Sequence, residues 1–423
     1  MVAVATGPRA GSGPVAPLTP ADEAGLHLVG LLVFLDPPKP DAAQALRRLS
    51  GLGISVKVVT GDNAAVALKV CGELGLTLGS GNALTGSEID GLDDAQLGQI
   101  LSRTAVFARV SPEHKARIVR VQRGSGGGVA FLGDGVNDAL ALHAADVGIS
   151  VESATDVAKD AADVILLEKD LGVLADGVVE GRRIFANTIK YVLMGTSSNF
   201  GNMFSAAGAS LFLSFLPMLP SQILLNNLLY DASQLAIPTD SVDDEQLRRP
   251  SHWDIAFIRR FMLFFGPLSS VFDFATFAVM VRVFHSGPAQ FRSGWFVESL
   301  ATQTLVIFAI RTRRIPFFRS HPSLPLTLAA LGAAAVGAVL PATPLAHALG
   351  FHPLPGAFFA TLVIMIVGYL VLIEIGKNVF YRRVAGRPAE GSAKISGEHP
   401  VSGGRKHLRR RAAYFSTQAP LPR

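Results

Sequence analysis

From Leu28 to about Leu167 the chain alternates short apolar runs with stretches whose apolar residues recur every three or four positions. The runs are Leu28 to Leu35, Ile54 to Thr60, Ala105 to Val110, Val129 to Leu132, Val147 to Ile149 and Val164 to Leu167. They are short, and several are rich in β-branched residues, as strands buried on both faces are. Between them, Asp41 to Leu49, Ala64 to Leu74, Pro112 to Val121 and Asn137 to Ala144 have helical spacing. The alternation predicts a parallel sheet with helices on both faces, whose chemistry gathers at the C-terminal ends of the strands.

Beyond Asp170 six apolar segments follow, approximately Val192 to Phe215, Pro220 to Ala236, Ile258 to Phe284, Trp295 to Ile310, Leu324 to Leu340 and Ala357 to Phe380. A bilayer-spanning helix needs about 20 apolar residues, so six membrane helices are expected, the second and fourth being short. The loop after the second carries Arg248, Arg249, Arg259 and Arg260, and the loop after the fourth Arg311, Arg313, Arg314 and Arg319. Arg382, Arg383 and the tail follow the sixth. The intervening loops contain only Arg292, with Arg282 near a helix end. By the positive-inside rule the arginine-bearing loops and both termini are expected in the cytoplasm.

Composition narrows the picture. At 423 residues the chain is long for one domain, and its apolar content is concentrated in its second half. The net charge of +5 lies largely in the tail around Arg405 to Arg411 and in short loops. No basic stripe runs along the soluble part, so nucleic acid is not an expected partner. Cys71 is the single cysteine, which excludes an intrachain disulfide and a thiolate metal cluster. Met1 to Pro20 is rich in Gly, Pro and Ala, has no charged region ahead of an apolar core, and reads as a loop rather than a signal peptide.

Gly133-Asp134-Gly135-Val136-Asn137-Asp138 follows a strand and opens a helix, placing two carboxylates four residues apart on one face. That suits a hard divalent cation such as Mg²⁺; a Gly-Asp turn with a capping aspartate is the blander reading. Thr60-Gly61-Asp62-Asn63 ends another strand and offers a hydroxyl and backbone N–H groups to an anion, although Asx turns look similar. Lys115 lies just inside a helix that begins at Pro112, against the dipole preference; an anion opposite would make it better tolerated, while taken alone it reads as a solvated lysine. His114 and His143 have no second His or Cys at ligand spacing and read as ordinary helix residues.

In the first membrane segment Asn199 and Asn202, and in the second Asn226, Asn227, Tyr230 and Asp231, place oxygen ligands at three- and four-residue spacing within apolar sequence. Such groups suggest an ion site, interhelical hydrogen bonding being the alternative. Asp273 and Glu298, in later segments, are second-rank candidates for the ion pathway, helix pairing being the equal alternative.

Asp36-Pro37-Pro38, Thr60-Gly61-Asp62, Arg109 with Lys115, and Gly133 to Asp138, in that order, make the chain from Leu28 to about Arg383 resemble the P-type ATPases. The branch it looks most like is the bacterial magnesium-importing one. The resemblance implies a haloacid-dehalogenase-like α/β phosphorylation domain, here partial, followed by an all-α transmembrane domain whose six helices are the family's fifth to tenth. It implies a nucleotide-domain remnant and linker at residues 1–25, the partial phosphorylation domain at 26–187, the transmembrane domain at 188–383 and a disordered basic tail at 384–423. ATP and Mg²⁺ are the implied cofactors, and the bacterial plasma membrane the implied location. Asp134 and Asp138 would hold catalytic Mg²⁺, with Asn137 beside them in the same motif. Thr60, Gly61 and Lys115 would meet the transferred phosphoryl group, and Asp36, Asp62 and Arg109 would shape the nucleotide side. Asn199, Asn202, Asn227, Tyr230 and Asp231 fall where ligands of the transported cation are expected; with one carboxylate among them, Mg²⁺ is favoured over Ca²⁺. Leu140 stands where the family usually has proline.

Asp-Lys-Thr-Gly-Thr, which supplies the family's phosphorylated aspartate, does not occur in the sequence. The strand bearing it would lie between those ending at Thr60 and Leu132, so those two strands are expected to expose unpaired edges, and the isolated chain is expected to form no aspartyl-phosphate. Three functions follow. The chain is part of an Mg²⁺ or other cation pump completed by an N-terminal half, or a catalytically dead membrane remnant or regulator, or a membrane-tethered phosphatase. The last is disfavoured by the same missing nucleophile.

Overall fold

A computed structural model describes residues 2–7, 24–32, 39, 41–76, 83–168, 170–248, 250–314 and 316–385. The chain divides into two compact units, residues 1–185 with 244–251, and residues 186–243 with 252–423. Asp36, the tail arginines and most of the Gly/Pro-rich start lie outside the described residues.

In the first unit β1 (Val2–Thr6) pairs antiparallel with β2 (His27–Leu32) as a separate two-stranded ribbon. This corrects two expectations: Val2–Thr6 is a strand within the stretch read as a loop, and the run from Leu28 joins no parallel sheet among the described residues. Its Leu28, Val29, Leu31 and Leu32 are all exposed, so the run's apolarity marks a surface rather than a central strand. After α1 (Ala42–Gly51), β3 (Val58–Val59) and α2 (Ala64–Glu73) come β4 (Leu84–Thr85), α3 (Gly86–Asp90), α4 (Asp94–Leu101) and β5 (Val106–Ala108). Helices α3 and α4 lie in sequence for which no helix was expected. Each opens on a capping box, Thr85 with Glu88 and Asp93 with Gln96, which satisfies N–H groups that so short a helix would otherwise leave unpaired.

Strands β3, β5 and β4 form a parallel sheet in that order. Next come α5 (Pro112–Gly124), β6 (Ala130–Leu132), a 3₁₀ turn at Val136–Asp138 and α6 (Ala139–Ala144). They are followed by β7 (Val147–Val151), α7 (Asp156–Asp160) and β8 (Val164–Leu166). A second parallel sheet has the order β6-β7-β8. The expected single sheet is therefore two half-sheets, and β3 and β6 each pair on one side only among the described residues. Helix α5 ties the halves together. Its Ile118 packs with Phe107, Ile89 and Leu97, and its next residue, Val119, with Phe131, Ala141 and Leu142. One helix thus seals two cores.

The second unit is helical: most of α8 (Leu171–Ala209), then α9 (Pro220–Gln234), α11 (Ile255–Arg282), α12 (Pro288–Leu305), α13 (Ile307–Ile310), α14 (Leu324–Val339) and α15 (Gly356–Ala385), with α10 (Asp244–Arg248) belonging to the first unit. Four spans, Ile255–Arg282, Pro288–Ile310, Leu324–Ala342 and Gly356–Arg383, are long and apolar enough to cross a membrane. The α12–α13 span is 89% buried against 22–39% for the other three, so it is the central helix. Phe277, Phe291, Trp295, Phe296 and Leu300 form the core around it. The first two expected membrane helices, α8 and α9, are not among the four. α9 has 15 residues, and asparagines and serines interrupt the apolar part of α8. α8 ends at Ala209 rather than near Phe215, before the proline-containing stretch 210–219.

Candidate functional site

The C-terminal ends of β3, β5 and β6 carry the residues singled out in the first unit. Thr60 Oγ1 donates to Asp62 Oδ2 (2.9 Å) and accepts from the Asp62 amide (3.1 Å). The Arg109 N–H donates to the Asp62 carbonyl (3.0 Å) and the Val110 N–H to that of Thr60 (3.2 Å). Arg109 itself sits at φ 52°, a left-handed conformation that costs a non-glycine residue energy and is held by this loop-to-loop pairing. Its side chain is exposed.

Ser111 caps α5, its hydroxyl accepting from the His114 amide, while His114 Nδ1 accepts from the Ser111 amide (3.1 Å). With Nδ1 an acceptor, Nε2 carries the proton and donates to Asp90 (2.8 Å). His114 thus closes the α5 cap and links it to the end of α3. The Ser111 hydroxyl also holds the Glu113 carboxyl below its usual range.

Lys115 Nζ donates to Asp138 Oδ1 at 2.8 Å, both side chains being 13% exposed. This is the anion that the lysine's position at a helix start called for, and it joins the α5 start to the loop after β6. Asp138 Oδ2 accepts from the Gly135 amide (3.2 Å). Gly133 is required here, because a Cβ at that position would lie 2.5 Å from Asp138 Cβ. The loop backbone is pinned by Ser150 Oγ donating to the Gly133 carbonyl (2.9 Å) and by the Thr155 amide donating to that of Asp134 (3.1 Å). Asp134 and Asn137 are exposed. Two carboxylates and a lysine therefore share one rim, a donor set that fits a hard divalent cation beside an anionic ligand. Among the described residues no group of three His, Cys, Asp or Glu forms a metal cage.

In the second unit the predicted ligands separate. Tyr230 is buried, its hydroxyl donating to Ser198 Oγ (3.3 Å). Asn202 Oδ1 accepts from Ser299 Oγ (3.2 Å), which also accepts from Asn226 Nδ2 (3.4 Å) and Gln303 Nε2 (2.5 Å). Asn199 and Asp231 are exposed and Asn227 half-buried. Ser299 and Gln303, which sequence spacing did not single out, sit where α8, α9 and α12 meet. The available signal was a run of Ser, Thr and Gln inside an apolar helix.

A second buried group missed in the sequence is Asp240. Its Oδ2 accepts from Lys190 Nζ (2.9 Å) and Arg311 Nε (2.8 Å), and its Oδ1 from the Ser323 amide (3.2 Å). Asp243 lies alongside, accepting from Thr312 Oγ1 (2.6 Å) and Ser320 Oγ (2.8 Å).

Comparison with known proteins agrees with both halves of this description. Residues 10–146 match the haloacid dehalogenase-like hydrolase family and residues 215–379 the cation transporting ATPase C-terminus. The chain is 51% identical over 367 residues to a magnesium-transporting ATPase, P-type 1, of Escherichia coli K12, covering 86% of this chain and 41% of that protein. A Salmonella typhimurium LT2 protein of the same description is 46% identical over 384 residues, 90% of this chain and 42% of its own length. A calcium-transporting ATPase of Bacillus subtilis is 31% identical over 361 residues, 83% of this chain and 39% of its own length. The chain spans about two fifths of the length of these relatives. A dehalogenase-like domain of parallel sheets, a helical unit with four membrane-length spans and these relatives together make the chain an integral membrane member of the P-type cation-transporting ATPases, corresponding to their C-terminal part.

Proposed function

We propose that the chain forms the C-terminal part of an ATP-driven Mg²⁺ importer and works with a segment that supplies the phosphorylated aspartate. The carrying observation is the Lys115–Asp138 pair at the rim of two half-sheets whose β3 and β6 edges are unpaired among the described residues. A further parallel strand, from a segment outside the described residues, would pair with both edges and bring a nucleophile to that rim.

Asp134 and Asp138 would hold Mg²⁺, both being hard oxygen donors that leave room for water. Bound there, the ion supplies charge neutralisation during phosphoryl transfer. Lys115 and Thr60 would orient the transferred group, with Gly61 and Asn137 in the same two loops. Asp62 and Arg109, linked through the Asp62 carbonyl, would shape the nucleotide side together with Asp36. In the membrane unit Asn199, Asn202, Asn227, Tyr230 and Asp231 would line the route of the transported cation. Mg²⁺ is favoured over Ca²⁺ by the single carboxylate among them and by the higher identity to the magnesium-transporting relatives. Residues 26–187 and 188–383 would be the phosphorylation and transmembrane domains, with both termini in the cytoplasm of a bacterial cell.

The test is Mg²⁺ uptake in a transport-deficient host that co-expresses this chain with the N-terminal part of a magnesium-transporting relative. Uptake should appear only with both pieces. It should be lost in Asp134→Asn and, with ATP binding intact, in Asp231→Asn. Uptake unchanged by both substitutions would overturn the assignment; no uptake from any pairing would favour a membrane protein without pump activity.

A further inference from the structure

The loop 311–323 joins two of the membrane-length spans, Pro288–Ile310 and Leu324–Ala342. It is clamped onto the end of the helical unit from inside. Arg311, 2% exposed, donates through Nη1 to the Ser320 carbonyl (3.2 Å) and hydroxyl (3.1 Å), and through Nη2 to the His321 carbonyl (2.9 Å). Ser320 Oγ in turn donates to Asp243 (2.8 Å), and the Phe317 amide donates to the Ser320 carbonyl (3.1 Å). A loop held in this way cannot fold inward to hide its tip. Yet the tip carries Phe317 and Phe318, 50% and 85% exposed. Phe317 has φ 60°, a left-handed conformation that is costly for so bulky a residue and that the clamp imposes.

The rings lie level with the membrane-length helices. The Phe317 ring is 5.1 Å from that of Phe308, which belongs to the last turn of the Pro288–Ile310 span. Leu324, which opens the next span, is 70% exposed as well. Around this tip the charge is of one sign. Arg313 and Arg319 flank it, both exposed, Arg313 lying over the Tyr381 ring at 4.8 Å. That contact brings the end of α15, with exposed Arg382 and Arg383, to the same end of the unit. The Phe257–Tyr381 ring contact (6.4 Å) brings the start of α11 there too, with exposed Arg259 and Arg260. Two acids at this end are already engaged: Asp243 accepts from Thr312 and Ser320, and Asp254 caps α11.

We propose that the tip at 316–319 is an interfacial anchor for the bilayer. The Phe317 and Phe318 rings enter the boundary between lipid headgroups and acyl chains, and Arg313 and Arg319 contact lipid phosphates. The spans on either side fix the loop at the bilayer surface, so lipid is the apolar phase within reach of rings that the protein leaves uncovered. Aromatic rings favour that boundary, and arginine stems are long enough to lie along apolar surface while the guanidinium meets phosphate. Anchored there, the loop sets the depth of the α13 end and of the α14 start. The anchor rests on the chain being an integral membrane protein and not on the ion it transports.

The experiment places a nitroxide at residue 318, as Phe318→Cys in the full chain in phospholipid nanodiscs. It reads the label's collisions with oxygen, which partitions into lipid, and with a water-soluble nickel chelate. Cys71 is buried, so the chain without the added cysteine gives the labelling background. Ser125→Cys, at an exposed position of the first unit, is the reference in water. At 318 oxygen collisions should exceed those with the chelate, and at 125 the order should reverse. Adding Arg313→Gln and Arg319→Gln to the 318-labelled chain should raise chelate access, because the phosphate contacts are lost. Phe317→Cys, labelled in a chain that keeps Phe318, repeats the reading independently of how the 318 substitution affects the loop. Chelate access at both positions equal to that at 125 would put the rings in water and overturn the proposal. A label that neither reagent reaches would mean that protein covers the tip, and would overturn it too.

Discussion

Truncating Asp240 tests whether the helical unit is fastened by buried charge. The Asp240 side chain is 0% exposed, and its two cationic partners, Lys190 and Arg311, are 8% and 1% exposed. Asp240→Ala would leave both without that counter-ion and strip one acceptor from each. Arg311 would keep its bonds to Ser320, Ser241 and His321, and Lys190 its bond to the Ser241 carbonyl. Breaking a buried pair from one side costs about 3–5 kcal/mol, because a charge is left in a site that cannot solvate it. For a unit of this size that is a fall in Tm of roughly 6–20 °C. Arg48→Ala is the matched control: its partner Asp176 and Arg48 itself are 65% and 47% exposed, and such pairs are worth about 1 kcal/mol or less. Thermal unfolding in detergent, followed by circular dichroism of the whole chain, separates the two, and the fluorescence of Trp253 and Trp295, both in the helical unit, reports the Asp240 variant. Asp240→Ala within about 1 kcal/mol of the parent, or no worse than Arg48→Ala, would refute the reasoning.

Cys71 is 1% exposed and burial pushes its thiol above the usual range; maleimide labelling near neutral pH should be at least about tenfold slower in the folded chain than in denaturant, and equal rates would count against the α2 packing. Hydrogen bonds from the Thr85 hydroxyl and amide hold the Glu88 carboxyl below its ordinary value of 4.5. Its stabilising contribution is therefore present above that value and lost as pH falls through the lowered one. Amide exchange in α3 should accelerate on acidification and Glu88→Gln should flatten the change; an equally steep response in the variant would contradict the capping role. Gly133→Ala forces a Cβ to 2.5 Å from that of Asp138, so it should cost about 1–3 kcal/mol and disturb the Lys115 pairing, measured by denaturant unfolding of the parent and variant.

The parts of the fold legible in the sequence were those set by local periodicity. The parallel strands other than β4, where no run was expected, and α2, α5 and α6 fall where the apolar spacing put them, within a few residues. The β1–β2 ribbon did not, since an apolar run says that a strand exists and nothing about its neighbour. The length of α8 was hidden for a related reason. Hydropathy registers only its apolar part, while Leu171 to Lys190 continues the same helix in polar and charged sequence. Helices α3 and α4 were readable from Thr85-x-x-Glu88 and Asp93-x-x-Gln96, a signal in side-chain chemistry rather than in periodicity.

The candidate site divides in the same way. Lys115 and Asp138 were each singled out from local sequence, Lys115 because it stands against a helix dipole and Asp138 because it lies four residues from Asp134. Their pairing at 2.8 Å joins positions 23 residues apart, and each resolves what the other lacked: the lysine needed an anion and the aspartate a cation. Across the helices of the second unit the polar residues singled out in the sequence belong to different helices, and spacing along one chain says nothing of which meet. Asp273 and Glu298 were both read as candidates for the ion pathway; the packing of α11 on α12 shows both buried, with Asp273 accepting from Ser205 and Trp295. A sequence reports which groups are out of place; the fold reports which of them answer one another.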